Sequence, residues 1–111
     1  MLQKYKGKIL RVIDGDTIEA AIFLGFNVSI KKKIRLLDID APEIRSSDES
    51  IRKKAYAAKK RLEELFADKD LTIESKGFDK YGRCLAYVIT SAGNVGNILL
   101  SEGLVTKMEY E

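Results

Sequence analysis

The chain contains 111 residues, of which 45% are hydrophobic and 33% are charged, and we expect one soluble globular domain over residues 1–111. With no histidine and a single cysteine, the sequence excludes an internal disulfide, histidine-ligated zinc and a histidine acting as catalytic base. The net charge of +3 is only mildly basic, so the placement of the charges is more informative than their sum.

The N-terminal segment carries basic residues that no apolar stretch follows. Lysines occupy positions 4, 6 and 8 and lead into a strand-like run, which is unlike the n-region and apolar region of a signal peptide. We therefore expect no signal peptide, which corresponds to a cytoplasmic protein as given or to a secreted protein in a trimmed form. Every apolar run is far shorter than the ~20 residues of a membrane-spanning helix, so we expect no membrane association.

Three strand-like segments begin the chain, and turn signals separate them. Asp14 and Gly15 form a strong tight-turn signal, and residues 25–27 mark a second turn. The predicted strands are residues 9–13, 16–22 and 28–37. This order predicts a three-stranded antiparallel meander.

An amphipathic helix is predicted after the polar loop that follows Pro42. Apolar residues recur there at spacings of 4, 3, 4 and 3, which places them on one stripe of a helix of about four to five turns. They are Ile51, Ala55, Ala58, Leu62 and Leu65. Ser46 and Glu49 are the predicted capping box at the start of this helix.

The last third of the chain alternates strands with a short helix. The predicted strands are residues 71–75 and 85–90, and a helix from about Val95 to Glu102 has Asn94 as its expected N-cap and Gly103 as its stop. Cys84 is expected to be a buried bystander, because no histidine is available as its base. The order β-β-β-α-β-β-α predicts a mainly β, five-stranded OB-fold barrel, with a helix between strands 3 and 4 and a short helix after strand 5.

Basic residues are grouped in three short runs. Such a run is usually a solvated surface, but several together also attract a polyanion. The runs are residues 31–33, 52–54 and 59–61.

Charged residues are concentrated beside two of the predicted strands. Asp14 and Asp16 flank Gly15, where they either approach one hard cation or simply favour a hairpin turn. Arg35 lies in an apolar strand, so its guanidinium needs an anionic partner, which is either a carboxylate or a substrate phosphate. Asp40 is five residues further on, and a bulge or the end of the strand must reorient it before it shares a site with Arg35.

A third polar segment precedes the last predicted strand. It contains Asp79, Lys80, Tyr81 and Arg83. Tight turns use similar residues, so this segment alone does not define a site.

In this order, the three segments resemble the staphylococcal nuclease family. The matching segments are residues 12–17, 35–43 and 79–87, with a weaker match from Asn97 to Leu104, and the resemblance runs from about Lys8 to Leu104. It implies a Ca²⁺-dependent phosphodiesterase that cuts single-stranded DNA and RNA with little sequence specificity. The alternative is a nuclease-like domain that binds RNA or protein without cutting.

The resemblance also implies a role for each matching residue. Asp16, Asp40 and the backbone carbonyl of Ala41, where the family usually has threonine, correspond to Ca²⁺ ligands, and Asp14 to a carboxylate near the ion. Glu43 corresponds to the glutamate that positions or deprotonates the attacking water. The residues that correspond to phosphate and nucleotide contacts are Arg35, Arg83, Lys80 and Tyr81. None of these roles requires a histidine.

Three features depart from the family's type protein. The loop after Glu43 is shorter, the third helix is absent, and Tyr110 matches a family tyrosine only with a shift of one residue. The alternatives are a compact member, a truncated chain, or a surface that another subunit covers. We expect a monomer, with a dimer through the bare surface as the alternative.

Overall fold

A computed structural model describes residues 2–108, and it contains two helices and eight strands within them. The strands are β1 (Gln3–Asp14), β2 (Thr17–Gly25), β3 (Val28–Leu36), β4 (Ile39–Asp40), β5 (Asp70–Phe78), β6 (Cys84–Thr90), β7 (Gly93–Asn94) and β8 (Thr106–Lys107). The helices are α1 (Glu49–Leu65) and α2 (Val95–Ser101). Tyr110 lies outside the described residues.

The five long strands close into a barrel. Antiparallel pairs join β3, β2, β1, β5 and β6 in that order, and a parallel pairing between β3 and β6 completes the ring. Helix α1 connects β3 and β4 to β5, and α2 follows β6 and β7. The predicted five-stranded OB-fold barrel with its two helices is therefore confirmed.

Alternate residues of the strands fill the barrel, as the period of a β-strand requires. Along β6, Cys84, Ala86 and Val88 are at most 2% exposed, whereas the residues between them are partly exposed. The sulfur of Cys84 lies 3.3 Å from the hydroxyl oxygen of Ser75, and burial raises the pKa of its thiol. Burial and a raised pKa both make a thiol unreactive, in agreement with the predicted bystander.

Helix α1 packs on the barrel through its apolar stripe. Ala55, Ala58, Leu62 and Leu65 are buried, as predicted. Ile51, the first residue of the predicted stripe, lies at its margin and remains 37% exposed. The stripe therefore begins one turn later than the periodicity indicates.

The predicted capping box of α1 is wrong. Asp48 is the N-cap, and its carboxylate accepts the Ser50 N–H at 2.8 Å. The Ser46 hydroxyl instead accepts the Asp48 N–H at 3.1 Å within the preceding turn. Because the Ser46 hydroxyl is used within this turn, Ser46 stays in the loop. Asp48 therefore accepts the free N–H group in the first turn of the helix.

Helix α2 has the predicted boundaries at both ends. The Asn94 side chain accepts the Asn97 N–H at 3.2 Å, and Gly103 follows the C-cap with a φ of +74°. The strands β4, β7 and β8 were not predicted, because two residues are too few to show a period. No helix within residues 2–108 is both long and apolar enough to cross a membrane.

Leu62→Ala should destabilise the protein far more than Ile51→Ala. Leu62 is fully buried, so its truncation leaves a cavity and should lower the free energy of unfolding by about 2–5 kcal/mol. Ile51 is partly exposed, and its truncation should cost less than about 1 kcal/mol. Urea unfolding followed by circular dichroism measures both; equal losses would show that α1 does not pack through this stripe.

Candidate active site

The turn between β1 and β2 holds two neighbouring carboxylates. Asp14 ends β1, and its Oδ1 accepts the Asp16 N–H at 3.0 Å. The Asp16 carboxylate is buried, and it accepts the Thr17 hydroxyl at 3.0 Å and the Ala41 N–H at 2.9 Å. Burial, together with the nearby Asp16, raises the pKa of Asp14 to about 6. This turn therefore concentrates negative charge where a cation would be favoured.

The same turn lies directly against α1 because its central residue has no side chain. A Cβ added to Gly15 would lie 2.8 Å from the Cβ of Ala58 and 2.9 Å from the Cβ of Ala41. Both separations are well inside the ~3.5–4.0 Å of an optimal carbon–carbon contact. Glycine therefore allows the close approach that brings Asp16 to the segment containing Ala41.

Arg35 connects the turn to the end of β3. One of its terminal nitrogens, NH2, lies 2.8 Å from the Asp40 carboxylate and 3.4 Å from that of Asp16. The other, NH1, donates to the carbonyls of Leu36 and Ile39 at 2.9 Å each. The Arg35 side chain is only 12% exposed, so these four acceptors satisfy a nearly buried guanidinium. We predicted either a carboxylate or a substrate phosphate as the partner of Arg35, and carboxylates are observed here.

A left-handed turn reorients Asp40 toward Arg35. Strand β3 ends at Leu36, and Asp38 then adopts a φ of +70° before β4 begins. The Tyr87 hydroxyl donates to the Asp38 carboxylate and ties this turn to β6. The predicted change of direction after β3 is confirmed. The Asp38–Tyr87 contact was not predicted, because no local pattern links residues 49 positions apart.

A second loop presents Lys80, Tyr81 and Arg83. The Asp79 carboxylate accepts the N–H groups of Tyr81 and Arg83 at 2.9 Å each and the Nε of Arg83 at 2.7 Å. Desolvation opposes ionisation, but these hydrogen bonds lower the pKa of Asp79 below its usual value. The Tyr81 ring lies 5.3 Å from the Lys80 ammonium and 5.7 Å from the Arg83 guanidinium carbon. Asp79 therefore positions Arg83, a role that the sequence did not reveal.

Two recesses meet at the ion pair between Arg35 and Asp40. Arg35 and Arg83 line one recess of about 260 Å³, together with Lys80 and Tyr81. Asp40 lines the other recess, of about 380 Å³. The two predicted phosphate-binding arginines thus face a common space, although they belong to distant parts of the chain.

Glu43 is not part of the observed cluster. It lies exposed in the loop after β4, and its carboxylate accepts the Arg45 N–H at 3.1 Å. Within residues 2–108, no hydrogen bond or ion pair joins it to Asp16, Arg35 or Asp40. Its predicted role in activating water stays a prediction.

The donor atoms at the cluster fit a hard cation. Asp16 and Asp40 contact the same nitrogen of Arg35, and the Ala41 N–H donates to Asp16, so two carboxylates and the Ala41 backbone belong to one small region. Ca²⁺ takes about six to eight oxygen ligands and accepts water among them. Within the described residues, no three side chains of His, Cys, Asp or Glu form a ready-made metal cluster. The remaining ligands would therefore be water and phosphate oxygens.

Comparison with known proteins identifies a matching family model and several relatives. The model of the family described as staphylococcal nuclease homologue matches residues 33–111. The chain is 40% identical to endonuclease YncB of Bacillus subtilis (strain 168) over 97 residues, which cover 85% of this chain and 44% of that protein. It is 30% identical to the micrococcal nuclease of Shigella flexneri over 115 residues, which cover 96% of this chain and 60% of that protein. The chain therefore spans about half the length of these two relatives.

Gly15→Ala should destabilise the protein, and Ala58→Gly should partly relieve the effect. The added methyl group would overlap Ala58 and Ala41, which should lower the free energy of unfolding by about 1–3 kcal/mol. Ala58→Gly alone should cost about 1 kcal/mol in helix propensity. The double variant should lose less stability than the sum of the two single losses, because the contact between the added methyl group and Ala58 is gone. Urea unfolding of the four proteins measures this coupling; strictly additive losses would contradict the close approach.

Proposed function

The chain belongs to the staphylococcal nuclease family, and on this basis we propose that it is a Ca²⁺-dependent nuclease. It hydrolyses phosphodiester bonds of single-stranded DNA and RNA with little sequence specificity. The observation that carries the proposal is the contact of Asp16 and Asp40 with one nitrogen of Arg35, beside a recess that Arg83 shares. The nuclease names of the relatives support the same class of reaction.

The metal site in this proposal uses oxygen atoms alone. Asp16, Asp40 and the Ala41 carbonyl would hold Ca²⁺, which would supply positive charge to the phosphate oxygens. With both carboxylates engaged in this way, the shared nitrogen of Arg35 would be released from them. That nitrogen is then available to a phosphate oxygen, while the hydrogen bonds to Leu36 and Ile39 keep the guanidinium in place.

The two arginines hold the scissile phosphate from different directions. Arg35 donates from the end of β3, and Arg83 donates from the loop before β6, where Asp79 fixes its Nε. Guanidinium groups present a planar set of donors that matches phosphate oxygens and that stabilises the charge developing on them. Lys80 contributes a contact to a neighbouring phosphate, and the exposed ring of Tyr81 offers a surface for a base.

Glu43 orients the attacking water and accepts its proton as the water oxygen bonds to phosphorus, while the P–O bond to the leaving sugar oxygen breaks and that oxygen takes a proton from solvent. For this step its carboxylate leaves the Arg45 N–H and turns toward the phosphate, which its exposed position in the loop allows. Because these contacts involve phosphate, water and the face of a base, they carry little base-sequence information. Low sequence specificity follows.

Glu43→Gln should lower kcat by about 10²–10⁴-fold, because glutamine cannot accept the proton of the attacking water. The matched control is Glu64→Gln, which makes the same chemical change at an exposed position of α1 whose carboxylate contacts Arg61. Cleavage of a fluorescently labelled single-stranded oligonucleotide measures both variants. Equal activity of the two variants would remove Glu43 from the mechanism.

Chelation should separate the nuclease from a binding module. With excess Ca²⁺ the protein should degrade single-stranded DNA and RNA, and EDTA should abolish the cleavage and Ca²⁺ restore it. Isothermal titration calorimetry of Asp16→Asn should show weaker Ca²⁺ binding, since a ligand charge is lost. Oligonucleotide binding that depends on salt but not on metal, without cleavage, would instead indicate the non-catalytic domain.

A further inference from the structure

We propose that the outer face of the hairpin formed by β2 and β3 is a second binding surface for single-stranded nucleic acid, with Lys31, Lys33 and Phe26 as its contacts. This hairpin surface extends the path of the substrate beyond the recess that contains Arg35 and Arg83. The inference rests on the proposed function, because it concerns the same class of ligand.

Two lysines of β3 lie on the same side of the strand as Arg35. Ile34 and Leu36 are at most 2% exposed and point into the barrel, so residues 31, 33 and 35 lie on the outer face by alternation. Lys32 takes the other direction, and its ammonium lies 5.7 Å from the Phe78 ring. The basic run 31–33 is thus divided between the two faces of β3, and only Lys31 and Lys33 are directed outward and exposed.

Neither outward lysine is neutralised by its neighbours. Lys31 lies opposite Ala21 of the neighbouring strand β2, and alanine has no charge. Lys33 is paired with Glu19, but the Glu19 carboxylate is engaged by Arg11 at 3.3 Å. Among residues 2–108, no carboxylate lies within salt-bridge distance of either lysine. The two charges are therefore available to an anionic ligand.

Aromatic surface continues the row of charges toward the tip of the hairpin. On β2, Phe23 is paired with Ser29, two pairs beyond the pair of Lys31 and Ala21, so it lies on the same face, and it is 40% exposed. Phe26 at the tip is completely exposed, with a φ of +54°. A left-handed backbone costs a residue other than glycine roughly 1 kcal/mol, and an exposed ring gains no packing energy in return. The two-residue turn accounts for the positive φ of Phe26, so the observation that points to a ligand is the complete exposure of this ring on the hairpin that carries the two lysines.

The spacing of these groups suits a single strand that leaves the recess. Alternate residues of a β-strand are about 6.6–6.8 Å apart, so Lys33 and Lys31 follow Arg35 at nearly equal steps, comparable to those between successive phosphates of an extended strand. Cations that track a backbone and aromatic rings on which bases stack are the usual components of a single-strand binding surface.

An anionic membrane is the other ligand with charged and apolar chemistry of this kind. The alignment of the two lysines with Arg35 favours nucleic acid, because a membrane contact at the hairpin tip would not require cations directed along β3 toward the recess. The membrane alternative is an outcome of the test below.

The first experiment compares two pairs of lysines. Lys31→Ala/Lys33→Ala should weaken binding of an oligothymidylate of about 12 nucleotides at least fivefold in EDTA, and should make the dependence of affinity on salt shallower by about one to two in the log–log slope. A thymidine dinucleotide, whose single phosphate reaches only the recess lined by Arg35 and Arg83, should bind almost unchanged. The control, Lys53→Ala/Lys60→Ala on exposed positions of α1, removes the same charge elsewhere. Fluorescence anisotropy measures all of these; equal losses in the two double variants would overturn the proposal.

The second experiment uses Phe26→Trp as a local probe, because the chain contains no other tryptophan. Its emission should be quenched by the longer oligothymidylate, and Phe26→Ser should weaken binding of that oligonucleotide about fivefold or more. An unchanged emission at saturation would overturn the proposal. So would a blue shift with phosphatidylserine vesicles and no response to the oligonucleotide, which would identify a membrane-binding surface.

These binding measurements are independent of catalysis. If the unaltered protein fails to cleave with Ca²⁺, the proposed function fails, while the comparison of the lysine pairs still decides the role of the hairpin surface. If cleavage is present and the lysine pairs do not differ, the hairpin surface alone is rejected.

Discussion

The nearly buried guanidinium of Arg35 is the interaction on which the rest of the site depends. Removing an arginine side chain from water is costly unless its donors are satisfied. Two carboxylates and two backbone carbonyls satisfy it here. Those acceptors come from the turn before β2, from the end of β3 and from β4. The charge of one side chain therefore fixes the relative positions of three segments, and the recesses exist on either side of it because these segments meet there.

Local patterns in the sequence predicted much of the barrel. Short-range signals located the five long strands, although β1 begins at Gln3 rather than at the predicted Ile9. They also gave both ends of α2, because Asn94 and Gly103 act within one helical turn. They failed at the start of α1, where Ser46 and Asp48 both offer a capping oxygen and a turn of the preceding loop decides between them. A period or a cap is a property of a few neighbouring residues. The choice between Ser46 and Asp48 as the N-cap instead depends on the conformation of the loop before the helix.

The candidate site was predicted in part, for the same reason. Motif resemblance selected Asp16, Arg35 and Asp40, and the structure brings these three together. It could not indicate that Asp79 fixes Arg83 or that Tyr87 holds Asp38, since these depend on side chains meeting in space. Nor could it indicate why position 15 is a glycine. A side chain there would collide with Ala58 and Ala41, whereas the sequence suggested only a turn. The division of the basic run 31–33 between two faces follows from alternation once β3 is placed in the barrel.

The parallel pairing of β3 with β6 has a consequence for the order in which the protein acquires its parts. It aligns Arg35 with Leu85 and is the contact that turns an open sheet into a ring. Partners so far apart along the chain meet late and slowly. During synthesis, a ribosome-bound chain that has not yet released β6 can form the meander, but its two arginines cannot face one space. A nascent chain at that stage would therefore lack the recess that Arg35 and Arg83 line until β6 is in place.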